Sequence, residues 1–258
     1  MIVGAHELIL CGYKEYWDVM NRFARNQLME NQVRYTGYVQ CDNTLPDANG
    51  VTYRDIDKRM IGGFTGGSEP NSISLTRFRS IAGCCVGTAP VALKTVWDDA
   101  VTYENGVTTV NIPVDKETKD YTLASAIPNA GEVSLTLKNG GKAGFRLYGW
   151  IKAPALYLNG APADAAEENG VLWAEVPAGG TLTLCFTLET ETHKENVRGT
   201  DYTVYTRGCD VVDLLPRGGH IRLYQRDLSA PKFYPTPEDV TYTGAANYGP
   251  TQQSQKLK

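Results

Sequence analysis

The stretch CCVGTAPVALKTVWDDAVTYENGVTTVNIPV, residues 84–114, is where the chain changes character. Its first half, TAPVALKTVWDDAV, predicts a helix with Thr88 as N-cap and Pro90 in the first turn, where a missing N–H breaks no bond. Its second half opens a series of short segments with alternating apolar residues: VTTVNIPV, YTLASAI, EVSLTLK, GFRLYGW, ALYLNG, VLWAEV, TLTLCFTLE, DYTVYTR and HIRLYQR. Asn105-Gly106, Asn139-Gly140, Asn159-Gly160 and Asn169-Gly170 fall among them and supply the positive φ of tight hairpin turns. Many short strands with such turns imply a β-sandwich.

Upstream the pattern is helical. Residues 2–10 and 14–31 predict two helices separated by Cys11-Gly12, the second with Tyr16, Val19, Met20 and Phe23 on one face, so together they make an αα-hairpin. Residues 34–82 carry no sustained periodicity and are rich in Gly, Asn, Asp and Ser, as in DANG and GGFTGGSEPNS; a loop region of that length points to a functional role. The fold class is therefore α+β, with helices first and a sandwich after. The tail beyond Asp239 has no apolar pattern, and disorder is expected over 241–258.

With 258 residues, 42% of them hydrophobic, the chain can bury a sizeable core. Its net charge of −4 and pI near 5.5 offer no long-range attraction to nucleic acid or anionic lipid. No apolar run approaches the roughly 20 residues that cross a bilayer, and MIVGAHELIL has no basic region ahead of its apolar stretch, so neither a membrane span nor a signal peptide is expected. That opening starts on apolar residues with no cap before them, which reads as the middle of an amphipathic helix, a place where a natural domain rarely begins.

Six cysteines, Cys11, Cys41, Cys84, Cys85, Cys185 and Cys209, are too few and too irregular for a disulfide scaffold, and a reducing, cytoplasmic setting is expected. Cys11 and Cys185 lie in apolar runs and read as small buried hydrophobes. Cys84 and Cys85 stand at the mouth of a helix, whose dipole and free N–H groups favour the thiolate. Two thiolates do not complete a four-ligand zinc site, so the pair is either structural or a ligand and nucleophile combination.

Among other candidates, Glu7 and Glu30 read as solvated helix-face residues, and His6, His193 and His220 are scattered. Gly66 and Gly67, with Asn71 just after, could let backbone N–H groups approach a sugar closely. Trp17, Trp97, Trp150 and Trp173 all fall in apolar patterns that predict core packing.

FRSIAGCCVGTAPVALKTVWDDAVTYENGVTTVNIPVD resembles the segment of family 127 glycoside hydrolases in which a Cys-Cys pair opens a barrel helix and leads into the first sandwich strand. EYWDVMNRFARNQLMENQ looks like the preceding barrel helix, GGFTGGSEPNS like the glycine-rich loop between, and GFRLYGWIKAPALYLNGAPA and HIRLYQRD like sandwich segments, so the resemblance spans roughly residues 1–230. It implies that residues 1–100 are the end of an (α/α) toroid and residues 101–240 a β-sandwich. It further implies a retaining β-L-arabinofuranosidase-type site on a carbohydrate substrate, with Cys84 as nucleophile and with Cys84 and Cys85 on a zinc ion. The remaining zinc ligands and the acid/base glutamate of the family would lie ahead of Met1. The expectation is then a C-terminal portion that is inactive alone and associates with itself or with a missing N-terminal half. The competing expectation is a non-catalytic sandwich module that binds carbohydrate or serves structurally.

Overall fold

The computed structural model describes residues 1–34, 36, 42–47, 52, 54–65, 67–73, 83–218, 221–224, 226 and 228. Helix α1 (Ile2–Leu10) stops at Gly12, whose φ of 99° lets the chain turn back: the Gly12 amide donates to the Ile9 carbonyl and the Tyr13 amide to that of Leu8, both at 3.0 Å. Helix α2 (Tyr16–Phe23) follows antiparallel and widens into a π-helical segment, Ala24–Leu28. The long loop region holds a short helix, α3 (Ile56–Met60), and a small hairpin, β1 (Ser68–Glu69) with β2 (Ser72–Ile73).

Helix α4 spans Gly83–Asp99, five residues earlier than the Thr88 start that the sequence predicts. Thr88 does not cap it; its hydroxyl donates to the Cys84 carbonyl at 2.9 Å, and Pro90 sits in the interior. The reason is local: a threonine hydroxyl satisfied by the carbonyl four residues back has no need of the cap position.

The strands then run β3 (Val101–Glu104), β4 (Val107–Val110), β5 (Lys116–Glu117), β6 (Tyr121–Ser125), β7 (Glu132–Leu137), β8 (Gly141–Arg146), β9 (Lys152–Leu158), β10 (Ala161–Pro162), β11 (Ala166–Glu168), β12 (Val171–Val176) and β13 (Thr181–Thr187). They form two sheets, β10-β9-β13-β7-β6-β5 and β11-β12-β8-β4-β3, antiparallel except for β4 on β8. Asn105-Gly106, Asn159-Gly160 and Asn169-Gly170 make two-residue hairpins with both φ positive, as the sequence predicts. Asn139-Gly140 does something else. There Gly140 and Gly141 take φ of 69° and 122° and carry the chain from β7 in one sheet to β8 in the other.

Alternation places Val133, Leu135 and Leu137 of β7 and Leu182 and Leu184 of β13 in the core, near Phe145 of β8 and Val110 of β4. The outward residues of the same strands pair across the sheet, Ser134 with Thr183 at 2.9 Å and Thr136 with Thr181 at 2.8 Å. The helices join this core through Ile2, Ile9, Trp17, Met20 and Val96, so one apolar cluster runs from the helical layer into the sandwich. Asn111, buried at the seam, donates to the Asp99 carbonyl at 3.1 Å, and its carbonyl accepts the Tyr148 hydroxyl, fixing the end of α4 on the sheet.

Three more strands, β14 (Thr190–Val197), β15 (Thr200–Arg207) and β16 (Asp210–Leu215), form a separate antiparallel sheet, and β17 (Ile221–Arg222) pairs with β2. The end of the described chain thus returns to the helical region. A buried ionic cluster marks the meeting point. Asp210, fully buried, accepts from Arg25 Nη2 at 2.8 Å and from Arg226 Nη1. Arg226 also donates to the Arg25 carbonyl at 2.6 Å and to Glu30 at 3.4 Å, and Glu30 takes the Tyr224 amide at 2.9 Å. Glu30 is therefore not on a solvated helix face; it is buried because two guanidinium groups and two carboxylates neutralise one another there.

Next to this cluster, burial pushes the Cys209 thiol up to about 12, and burial with the nearby Glu30 pushes the Tyr224 hydroxyl up to about 12. Both groups are neutral when protonated, and both hold their proton more tightly folded than unfolded. Their contribution to stability is full below the unfolded thiol value of 9.0 and is lost as pH rises toward about 12. The urea midpoint is expected to fall steadily from pH 8.5 to 10.5, with Cys209 contributing at most about 1.4 kcal/mol per pH unit. Cys209→Ala should flatten that slope; an unchanged slope would contradict the assignment.

Candidate thiol site

Cys84 and Cys85 occupy the first turn of α4, Cys84 exposed and Cys85 half-buried, with their sulfurs 3.6 Å apart. The helix is held from its far end, where His6 Nδ1 of α1 meets Asp99 Oδ2 at 2.5 Å and Lys116 donates to the Trp97 carbonyl. The five described cysteines are all free thiols. Helix-start geometry was expected to favour thiolates; at Cys85 the thiol is pushed up instead, because burial penalises the anion and the neighbouring Cys84 adds its hydrogen bond and charge.

A tetrahedral zinc with Zn–S bonds of about 2.3 Å sets its sulfurs about 3.8 Å apart, so the 3.6 Å pair has the spacing of two ligands on one ion. Among the described residues no group of three or more His, Cys, Asp or Glu side chains is placed to hold a metal ion. The described residues do not fit a complete four-ligand zinc centre.

The other sequence candidates are scattered. Gly66 lies outside the described residues, as do Cys41, His220 and the tail 241–258. Gly67 is half-buried just ahead of β1. Asn71 is buried and its amide donates to the Pro216 carbonyl at 2.8 Å, tying the small β1-β2-β17 sheet to the end of β16. His6 is engaged by Asp99, and Glu7 is exposed as expected. Cys11 is exposed, not buried, because it closes α1 on the outer side of the turn. Trp17 and Trp150 are in the core, whereas Trp97 is 47% exposed with the Lys116 ammonium 5.1 Å from its ring, and Trp173 is half-buried under Lys142. No membrane-spanning helix occurs among the described residues.

No protein-family model matches the chain, and no curated protein is similar to it in sequence. Solved structures are. A GH127 β-arabinofuranosidase superposes on 80% of this chain and 34% of its own, with a TM-score of 0.52 and 15% identity. The chain shares part of the GH127 fold. A GH127 β-L-arabinofuranosidase from Geobacillus stearothermophilus T6 covers 77% of the chain and 32% of its own (TM-score 0.47, 18% identity), and a further glycoside hydrolase covers 77% and 34% (TM-score 0.47, 17% identity). The chain spans about a third of the length of these structures.

Proposed function

We propose that this chain is the C-terminal part of a retaining glycoside hydrolase acting on β-L-arabinofuranosides or similar plant-glycan sugars, with residues 1–100 completing a helical barrel and residues 101–240 its sandwich. What carries the proposal is the pair of adjacent thiols, 3.6 Å apart in the first turn of α4, within a fold shared with a GH127 β-arabinofuranosidase.

In this reading the Cys84 sulfur attacks the anomeric carbon as the bond to the leaving oxygen breaks, and that oxygen takes a proton from a carboxylic acid outside the described residues. Water then attacks the same carbon, the carbon–sulfur bond breaks, and the thiolate returns with the anomeric configuration retained. Cys84 and Cys85 would supply two thiolates to a zinc ion, which when bound would keep them deprotonated at neutral pH; its other ligands would come from outside the described residues. A cytoplasmic setting belongs to the same proposal, since free thiols persist in a reducing compartment. The incomplete ligand set favours, as a second reading, a non-catalytic sandwich module that binds carbohydrate or a structural partner.

The test is hydrolysis of an aryl β-L-arabinofuranoside by the natural polypeptide at its native length, with the product anomer followed by NMR. Retained configuration supports the first reading. Absence of hydrolysis by the zinc-loaded natural polypeptide passes the lead to the second.

A further inference from the structure

The Asn-Gly pairs at 105–106, 139–140, 159–160 and 169–170 face very different surroundings, and the dipeptide is chemically labile. The Gly backbone nitrogen, with no Cβ to shield it, can attack the Asn side-chain carbonyl carbon. A C–N bond forms, ammonia leaves, and the resulting succinimide takes up water at either carbonyl. Opening one way gives Asp; opening the other gives isoaspartate, whose main chain runs through the side-chain carbon. In three of the pairs a two-residue turn fixes the Asn φ at 53°, 51° or 53° and holds the Gly nitrogen away from that carbon. Reaction there requires the hairpin to open, so its rate follows the free energy of local opening.

Three of the four pairs are restrained. Asn159 is pinned twice: its Oδ1 accepts the Thr181 amide and its own amide donates to the Thr181 carbonyl, both at 2.9 Å. After Asn139 the glycine is wedged, since a Cβ on Gly140 would lie 2.6 Å from the Val176 carbonyl oxygen and 2.7 Å from the Ala178 nitrogen. Asn105 follows the edge strand β3, but Val101 of that strand is in the core and Thr102 accepts the Asn111 amide at 3.1 Å. A further pair, Asn49-Gly50, lies outside the described residues.

Asn169 has none of these restraints. It and Gly170 are exposed, and a Cβ on Gly170 would meet nothing within 4 Å. The strand it closes, β11, lies at the sheet edge with all three residues exposed, paired as Ala166 with Trp173, Glu167 with Leu172 and Glu168 with Val171. Fraying β11 therefore gives up little apolar burial. What β11 covers is the edge of β12, where Val171, Ala174 and Val176 are buried; a short, acidic edge strand is a common guard for such an edge. We propose that Asn169-Gly170 is a site of spontaneous deamidation, and that isoaspartate there unpairs β11 and opens the edge of β12. The extra main-chain carbon does not fit a two-residue turn, and the new carboxylate stands beside Glu167 and Glu168.

The experiment ages the whole chain in mildly alkaline buffer, folded and in concentrated urea. Peptide mass spectrometry follows the amide-to-acid change, fragmentation separates isoaspartate from Asp, and amide hydrogen exchange reports on residues 166–173. In the folded chain Asn169 should convert at least about tenfold faster than Asn139 or Asn159, whose restraints must break first. In urea, where those restraints are gone, the four pairs should convert within about threefold of one another. Exchange over 166–173 should rise as Asn169 converts. Asn169→Gly keeps a compatible Gly-Gly turn with no side chain to cyclise, and its exchange should stay constant. The proposal is overturned if folded Asn139 or Asn159 converts as fast as Asn169, or if Asn169 survives in the folded chain while the urea-treated chain converts. It is equally overturned if the converted chain and aged Asn169→Gly exchange alike.

Discussion

Asp210→Ala should cost the fold about 3–5 kcal/mol, the usual penalty for removing one partner of a buried ion pair. The carboxylate is fully buried and receives both Arg25 and Arg226, whose side chains are only 13% and 19% exposed. Without it the two guanidinium groups face each other out of water, with Glu30 left to answer Arg226 alone. Against a typical total of about 5–15 kcal/mol, that loss puts the variant near its unfolding threshold at room temperature. Asp213→Ala is the natural control, because Asp213 pairs with Arg217 at 2.8 Å on the surface and such pairs contribute about 1 kcal/mol or less. Urea unfolding should separate the two variants clearly. Equal midpoints would mean that the Arg25–Asp210–Arg226 cluster does not hold the helical layer to the C-terminal strands.

Cys84→Ser in the natural polypeptide is expected to lower hydrolysis by at least about a thousandfold while leaving circular dichroism unchanged. A serine hydroxyl at the same place is far less acidic than a thiol and would need a strong base to attack carbon. Cys84 is exposed, so the substitution removes no packing and the loss can be read as chemistry. On the same proposal, Cys85→Ser should also reduce hydrolysis and lower the zinc content of the natural polypeptide. Full activity in Cys84→Ser would end the nucleophile assignment whatever happens to the metal.

The sandwich was legible because its strands are buried on one face. β7 and β13 carry strict alternation, Glu132–Leu137 and Thr181–Thr187, and three of four Asn-Gly pairs mark real hairpins. β14 was not legible: all eight residues, Thr190–Val197, are exposed, so nothing in their polarity alternates, and only pairing with β15 makes them a strand. The short β10 and β11, exposed throughout, escape for the same reason. The start of α4 was misplaced because Thr88 and Pro90 together imitate a cap. The thiol pair itself stands out in any reading of the sequence, since adjacent cysteines are conspicuous. The Arg25–Asp210 contact, 185 residues apart, is invisible beforehand.

That separation has a temporal meaning as the polypeptide leaves the ribosome. At about 5–20 residues per second, Arg25 waits roughly 10–40 s for Asp210 to be made, and Glu30 waits longer still for Arg226. Through that interval Arg25 and Glu30 lack the partners that neutralise them, so the ionic contact between the helical layer and the C-terminal strands forms only after the apolar residues of both layers have been made.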